Sequence, residues 1–208
     1  RILPRPRSIP HLIPAAASRV ARMIEQAPAM PAKRNPAKAV AAMTGPGITS
    51  LAELNAIIAK TEPFVEGSPK AVFGEGPLHP AIAFVGEQPG DQEDLQGRPF
   101  VGPAGQLLDR ALEHAGIDRS KAYITNAVKH FKFVRHGKRR IHESPTAGEI
   151  KHYRWWLKKE LELVKPRLVV ALGATAVHAL EGKALTIQDN RGEHAFPAEY
   201  GRRGYITV

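Results

Sequence analysis

The sequence predicts an α/β fold, a three-layer sandwich with a central four-stranded parallel sheet. Two observations carry this. Four short apolar runs have strand character: residues 81–85 (AIAFV), 122–128 (AYITNAV), 167–172 (RLVVAL) and 205–208 (YITV). Between them lie segments of helical periodicity, at residues 106–116, 146–164 and 174–182. Strands that alternate with helices pair in parallel and carry helices on both faces.

Residues 1–49 are rich in Pro, Ala and Arg. Their periodic piece is HLIPAAASRVARMIEQA, and their shortage of acids is shared with mitochondrial transit peptides. Because the chain begins at Arg1 rather than Met, the segment is expected to be a linker or the tail of a preceding domain, with the main domain over residues 50–208. Residues 51–60 (LAELNAIIAK) predict a short helix capped by Thr49 or Ser50. The strand at 81–85 stops at Gly86 and delivers Glu87, Gln88, Asp91, Glu93 and Asp94 before any further apolar residue. Strand ends of this kind are where α/β proteins bind ligands. Phe100 follows beside Gly102, Pro103 and Gly105, and then the helix with Leu107, Leu108, Ala111 and Leu112 on one face.

The second strand ends near Asn126, and a basic stretch, HFKFVRHGKRRIHES, turns at Gly137. The long helix starts with either Ser144-Pro145 as cap and first residue, or Thr146 and Glu149 as a capping box. Its buried side is expected to be Ile150, Leu157, Leu161 and Val164, with Lys158, Lys159, Glu160 and Glu162 in water. Trp155 and Trp156 are expected to pack, one of them partly facing solvent. The third strand turns at Gly173 into a helix closed by Gly182.

Composition narrows the function. At 43% hydrophobic and 24% charged over 208 residues, the chain is expected to be soluble and globular, without a membrane span. It has no cysteine, which excludes disulfides, thiolate nucleophiles and cysteine-held metals, and fits a reducing cytoplasm. The net charge of +10 is unevenly spread: residues 1–50 hold eight Lys/Arg against Glu25, a net of +7 that leaves +3 for the rest. Within that rest, Lys129, Lys132, Arg135, Lys138, Arg139 and Arg140 cluster without an acid. Such a patch is either a solvated face or a landing place for a polyanion.

The candidate chemistry is open at the level of residues. Glu87 and Asp91 read equally as an acid/base pair, as stabilisers of a cation, or as carboxylates that cap a helix or meet the basic stretch. Phe100 is a stacking plate or a core residue; Asn126 is a turn former or a reader of a base edge, since its amide both donates and accepts. His142, after three cations, is an exposed loop residue or a nucleophile. Lys132 within HFKF suits a nucleic-acid backbone. No dinucleotide glycine spacing, phosphate loop, H-E-x-x-H or G-x-S-x-G is present, and the nine histidines lack a metal-binding spacing.

Three stretches together, GEQPGDQEDLQGRPFVGPAGQLLDRAL, TNAVKHFKF and GKRRIH, resemble the UdgX-type uracil-DNA glycosylases, relatives of the iron–sulfur family 4 enzymes. The resemblance covers residues 51 to 208 and implies the uracil-DNA glycosylase-like fold and base-excision repair. It implies that uracil is flipped out of DNA and its N1–C1′ bond cut. By resemblance Phe100 stacks on uracil, Asn126 bonds its polar edge, amides near Gln88 meet a carbonyl oxygen, and Glu87, with Asp91 beside it, steadies the sugar cation. His142 captures C1′ and leaves the protein joined to abasic DNA, while Lys138, Arg139 and Arg140 hold the loop against phosphates. Turnover without trapping, or binding without catalysis, are the alternatives. The expected partner is uracil-containing DNA, single-stranded and also double-stranded, met by a monomer away from membranes. The positions matching the family's cluster ligands are Ala59, Glu62, His130 and Tyr153, so no cluster and no other cofactor is expected. The family continues past a strand like YITV with a His-Pro-Ser motif that helps bind uracil; the sequence here stops at Val208.

Overall fold

The computed structural model describes residues 47–197 and 203–207. The periodic piece HLIPAAASRVARMIEQA, read as part of a linker or preceding domain, lies outside them. Helix α1 (Leu51–Lys60) is capped by Ser50 in a capping box with Glu53. Strand β1 (Gly67–Ala71) follows, then β2 (Ile82–Gly86), a short helix α2 (Asp91–Gln96) and α3 (Pro103–His114). Next come β3 (Tyr123–Asn126), the hairpin β4 (His130–His136) and β5 (Arg139–His142), and the long α4 (Ala147–Val164). The chain continues through β6 (Leu168–Leu172), α5 (Ala174–Glu181), α6 (Ile187–Asn190), β7 (Gly192–His194) and β8 (Gly204–Thr207).

The main sheet has the order β3-β2-β6-β8-β7. Its first four strands are parallel, as the sequence predicts; β7 adds an antiparallel fifth along β8. Alternate residues of one strand feed opposite cores. Ala83 and Val85 pack toward Leu157, Leu161, Val177 and Leu180, while Ile82 and Phe84 pack toward Leu108 and Leu112. That two-sided burial explains why β2 and β6 read as unbroken apolar runs. The outer border of β3 is met by an isolated bridge in which Glu75 and Ile124 exchange both backbone hydrogen bonds, at 2.9 and 2.8 Å.

A second, antiparallel sheet, β1-β4-β5, was not anticipated. The basic stretch forms its hairpin, with Phe133 opposite His142 and Arg135 opposite Arg140. At the start of α4, Thr146 is the cap and Glu149 closes the box. One expectation for α4 is overturned: Glu160 is not in water but 2% exposed. It accepts hydrogen bonds from Tyr123 Oη (2.9 Å) and Thr125 Oγ1 (3.0 Å) and pairs with Lys129 Nζ at 2.5 Å. Trp155 is 41% exposed, and Trp156 packs against Val65, Val128 and Tyr153.

Candidate functional site

From β2 the chain runs first to β3 on one side and later to β6 on the other. Strand ends at such a reversal leave a crevice. Here it is a cavity of about 740 Å3 lined by Gly86, Glu87, Gln88 and Asp91 after β2, Phe100, Asn126 at the end of β3, His142 of β5, Gly173 and Thr207, with Leu107, Leu108 and Ala111 of α3. Six of the expected residues, Glu87, Gln88, Asp91, Phe100, Asn126 and His142, therefore line one space.

Gly86 sets how closely two of them approach. It lies beside Asn126 in the sheet register, and a Cβ on it would stand 2.5 Å from both Asn126 Oδ1 and Phe100 Cζ. Only a residue without a side chain leaves the ring and the amide where they are. Phe100 itself has φ +54°, a left-handed conformation rare for an aromatic residue. The surroundings enforce it. A Cβ on Gly105 would meet the Phe100 carbonyl oxygen at 1.9 Å, and Arg119 donates to the carbonyls of Pro99 and Phe100 at 3.2 Å each. Glu93 ties the loop's two ends by accepting from Gly90 N–H (3.0 Å) and Gly102 N–H (2.8 Å), the cap positions of α2 and α3. Strain held by so many contacts is a feature of functional sites.

Glu87 stands between two partners. Its Oε1 lies 3.1 Å from His142 Nε2, and its Oε2 accepts from Thr175 Oγ1 at 2.6 Å. The His142 side chain is 47% exposed and Glu87 32%, so both are reachable from the cavity. A carboxylate fixed beside an imidazole can take its proton or steady a positive charge. Thr175 was not singled out by the sequence. The signal was there in part: it opens the helix after β6, the other strand flanking the reversal.

The remaining expected residues divide. Lys138 and Arg139 are exposed at the hairpin turn. Arg140 is drawn inward: Nε donates to Asp91 Oδ1 at 2.6 Å, Nη1 pairs with Asp94, and the guanidinium lies 5.4 and 5.3 Å from the Phe131 and Phe133 ring centres. Burial opposes its charge, but these carboxylates outweigh it and raise its pKa. Asp91 thus meets the basic stretch, the bland alternative for that residue. The expectation that Lys132 faces DNA phosphates is corrected: its side chain is 8% exposed and its ammonium pairs with Glu149 (3.1 Å) and Glu143 (3.5 Å). Burial lowers its pKa, yet the two glutamates hold it above the ordinary lysine value. The Gln88 side chain is a clamp, donating to the Lys132 and Glu143 carbonyls (3.2 and 3.1 Å) and accepting from Lys132 N–H (3.2 Å).

Two positions where the resemblance places cluster ligands are joined to each other. His130 Nδ1 lies 2.7 Å from Tyr153 Oη, which also accepts from Phe64 N–H at 3.1 Å. A single hydrogen bond joins the phenol and Nδ1, and the other nitrogen of the His130 ring is Nε2. That Nε2 and Asp94 Oδ1 are buried without hydrogen-bond partners. Burial pushes the His130 pKa down to about 4 against the field of Asp94, and pushes Tyr153 up to about 12. A neutral imidazole and a phenol engaged with one another, with Ala59 and Glu62 exposed on the surface, do not offer the thiolates that an iron–sulfur cluster takes.

The fold and this crevice define a class: α/β proteins whose sheet reversal holds an aromatic ring, an amide that donates and accepts, and a carboxylate–imidazole pair. Residues 73–206 match the family described as the Uracil DNA glycosylase superfamily, and the chain belongs to that superfamily. It is 43% identical over 122 residues to a type-4 uracil-DNA glycosylase of Thermotoga maritima, covering 58% of this chain and 60% of the relative. It is 41% identical over 110 residues to that of Pyrobaculum aerophilum, 53% of each chain, and 41% identical over 105 residues to that of Archaeoglobus fulgidus, 50% of this chain and 49% of the relative. The chain thus spans half to three fifths of the length of these curated relatives. Among the described residues no helix is long and apolar enough to cross a membrane.

Proposed function

We propose that this chain excises uracil from DNA and, in the manner of UdgX-type enzymes, captures the resulting sugar on His142. The observation that carries the reading is the Glu87 carboxylate 3.1 Å from His142 Nε2, at a cavity that also holds Phe100 and Asn126. A flipped uracil stacks on Phe100 while the Asn126 amide reads its polar edge, and amides near Gln88 meet a carbonyl oxygen. As the N1–C1′ bond breaks, its electron pair leaves on uracil, which later takes a proton from solvent. The positive charge left on the sugar is steadied by Glu87.

In the geometry seen here, the ring nitrogen of His142 away from Glu87 donates its lone pair to C1′, and the proton on Nε2 passes to Glu87. Asp91 and Asp94 act through Arg140 to hold the strand that bears His142. Lys138 and Arg139 meet phosphates of single-stranded or duplex DNA. The chain does this without a cysteine-ligated cluster, which is supported by its lack of any cysteine and by the His130–Tyr153 contact.

The test is incubation of the full chain with uracil-containing and undamaged DNA, followed by denaturing electrophoresis. A band that survives denaturation is expected with uracil DNA only, and His142→Ala should abolish it. Glu87→Gln should slow uracil release by about 100-fold or more, the usual scale for removing a charge-stabilising group. Free abasic product in excess of enzyme would overturn capture; no uracil release at all would overturn the whole reading.

A further inference from the structure

We infer that Thr175 is a positioning residue that sets how excised sites divide between capture on His142 and release as free abasic DNA. The inference rests on the reading above and deepens it. Glu87 has two tasks there, and they differ in geometric demand. Steadying a sugar cation is a matter of charge at a distance, and Coulomb energy changes little when a carboxylate swings by an ångström. Accepting a proton from His142 requires an oxygen within about 2.6–3.2 Å, aimed along the N–H bond.

Glu87 is reached from opposite sides, by His142 at Oε1 and by the Thr175 hydroxyl at Oε2. With its side chain 32% exposed at the cavity, the carboxylate would otherwise be free to turn about its last torsion. Thr175 suits the task. Its β-branch narrows the choice of the first side-chain torsion, and in the rotamer seen here the hydroxyl lies 2.6 Å from Glu87 Oε2. It lies in the first turn of α5, whose cap Gly173 supplies no side-chain hydrogen bond. Loss of the hydroxyl therefore degrades proton transfer more than it degrades cation stabilisation, and capture falls further than excision.

The experiment is a single-turnover reaction of the full chain with uracil-containing single-stranded DNA, scoring captured DNA and free abasic DNA in the same samples. Thr175→Val and Thr175→Ala should lower the captured-to-free ratio by about tenfold or more, the scale of a hydrogen bond to a charged group. Thr175→Ser should bring the ratio back to within about threefold of the unaltered chain. Thermal melting of each variant identifies misfolding, and the ratio is immune to a simple loss of folded protein. A ratio unchanged in Thr175→Val while excision proceeds overturns the role of Thr175 and leaves the glycosylase reading standing. An unaltered chain that releases no uracil, or releases it with no capture, overturns the inference together with the reading beneath it.

Discussion

At the scale of single residues, the chemistry legible in the sequence was the chemistry of strand ends. Glu87 and Asn126 follow directly from apolar runs that stop, and Phe100 is flagged by flanking glycines that permit close approach. What stayed hidden were partners supplied from far along the chain. Thr175 reaches Glu87 over 88 positions and Lys129 reaches Glu160 over 31, and such pairings leave no trace in local pattern. His130 shows how burial then decides a residue's behaviour. Its pKa in the fold is about 4 against an ordinary 6.5, so between those values the unfolded chain binds a proton that the folded one does not. Stability from this residue is complete above pH 6.5 and is lost as pH falls toward 4, by up to about 3 kcal/mol. Asp94 and Tyr153 are the titratable groups beside it. Urea unfolding at pH 7 and pH 4.5 should show a smaller drop in His130→Asn than in the unaltered chain; equal drops would place the acid sensitivity elsewhere.

At the scale of elements, periodicity served the helices well. The long helix was expected from Thr146 to Val164 and is α4 with Thr146 as its cap. The helix α3 begins earlier than periodicity alone suggests because Pro103 has a backbone already set for a first turn. The missed elements are those whose stability comes from elsewhere. Helix α2 is five polar residues and Leu95, too short and polar for an apolar period, and the hairpin β4–β5 reads as a charge run because its outer half is exposed. Beneath that hairpin, Lys129 and Glu160 join the β3–β4 connection to α4 with side chains 1% and 3% exposed. The ammonium also donates to Thr125 Oγ1 and the Asn126 carbonyl, both at 2.7 Å, so every proton on it is engaged. Lys129→Met should therefore destabilise the protein by about 3–5 kcal/mol, because a buried carboxylate is left without its cation. Adding Glu160→Gln should recover much of that loss. Denaturant titration of the two variants checks it, and additive losses would show that the two charges do not depend on each other.

At the scale of the whole molecule, charge and edges matter most. Of the cations that read as one basic patch, Lys129, Lys132 and Arg140 neutralise internal carboxylates, while Lys138 and Arg139 remain exposed at the hairpin turn. If both meet phosphates, the double variant Lys138→Ala/Arg139→Ala should flatten the dependence of log affinity on log salt by about 1.4 for single-stranded DNA. Binding titrations at several salt concentrations measure that slope, and an unaltered slope would remove the two residues from the interface. The borders of the main sheet carry a different consequence. On one side β7 runs backward for three residues carrying Glu193 and His194; on the other, Glu75 already occupies the backbone groups of Ile124. A foreign strand seeking to zip onto this sheet meets a brief, charged selvage at one margin and an occupied latch at the other, which protects a β-rich interior from fibrillar self-templating.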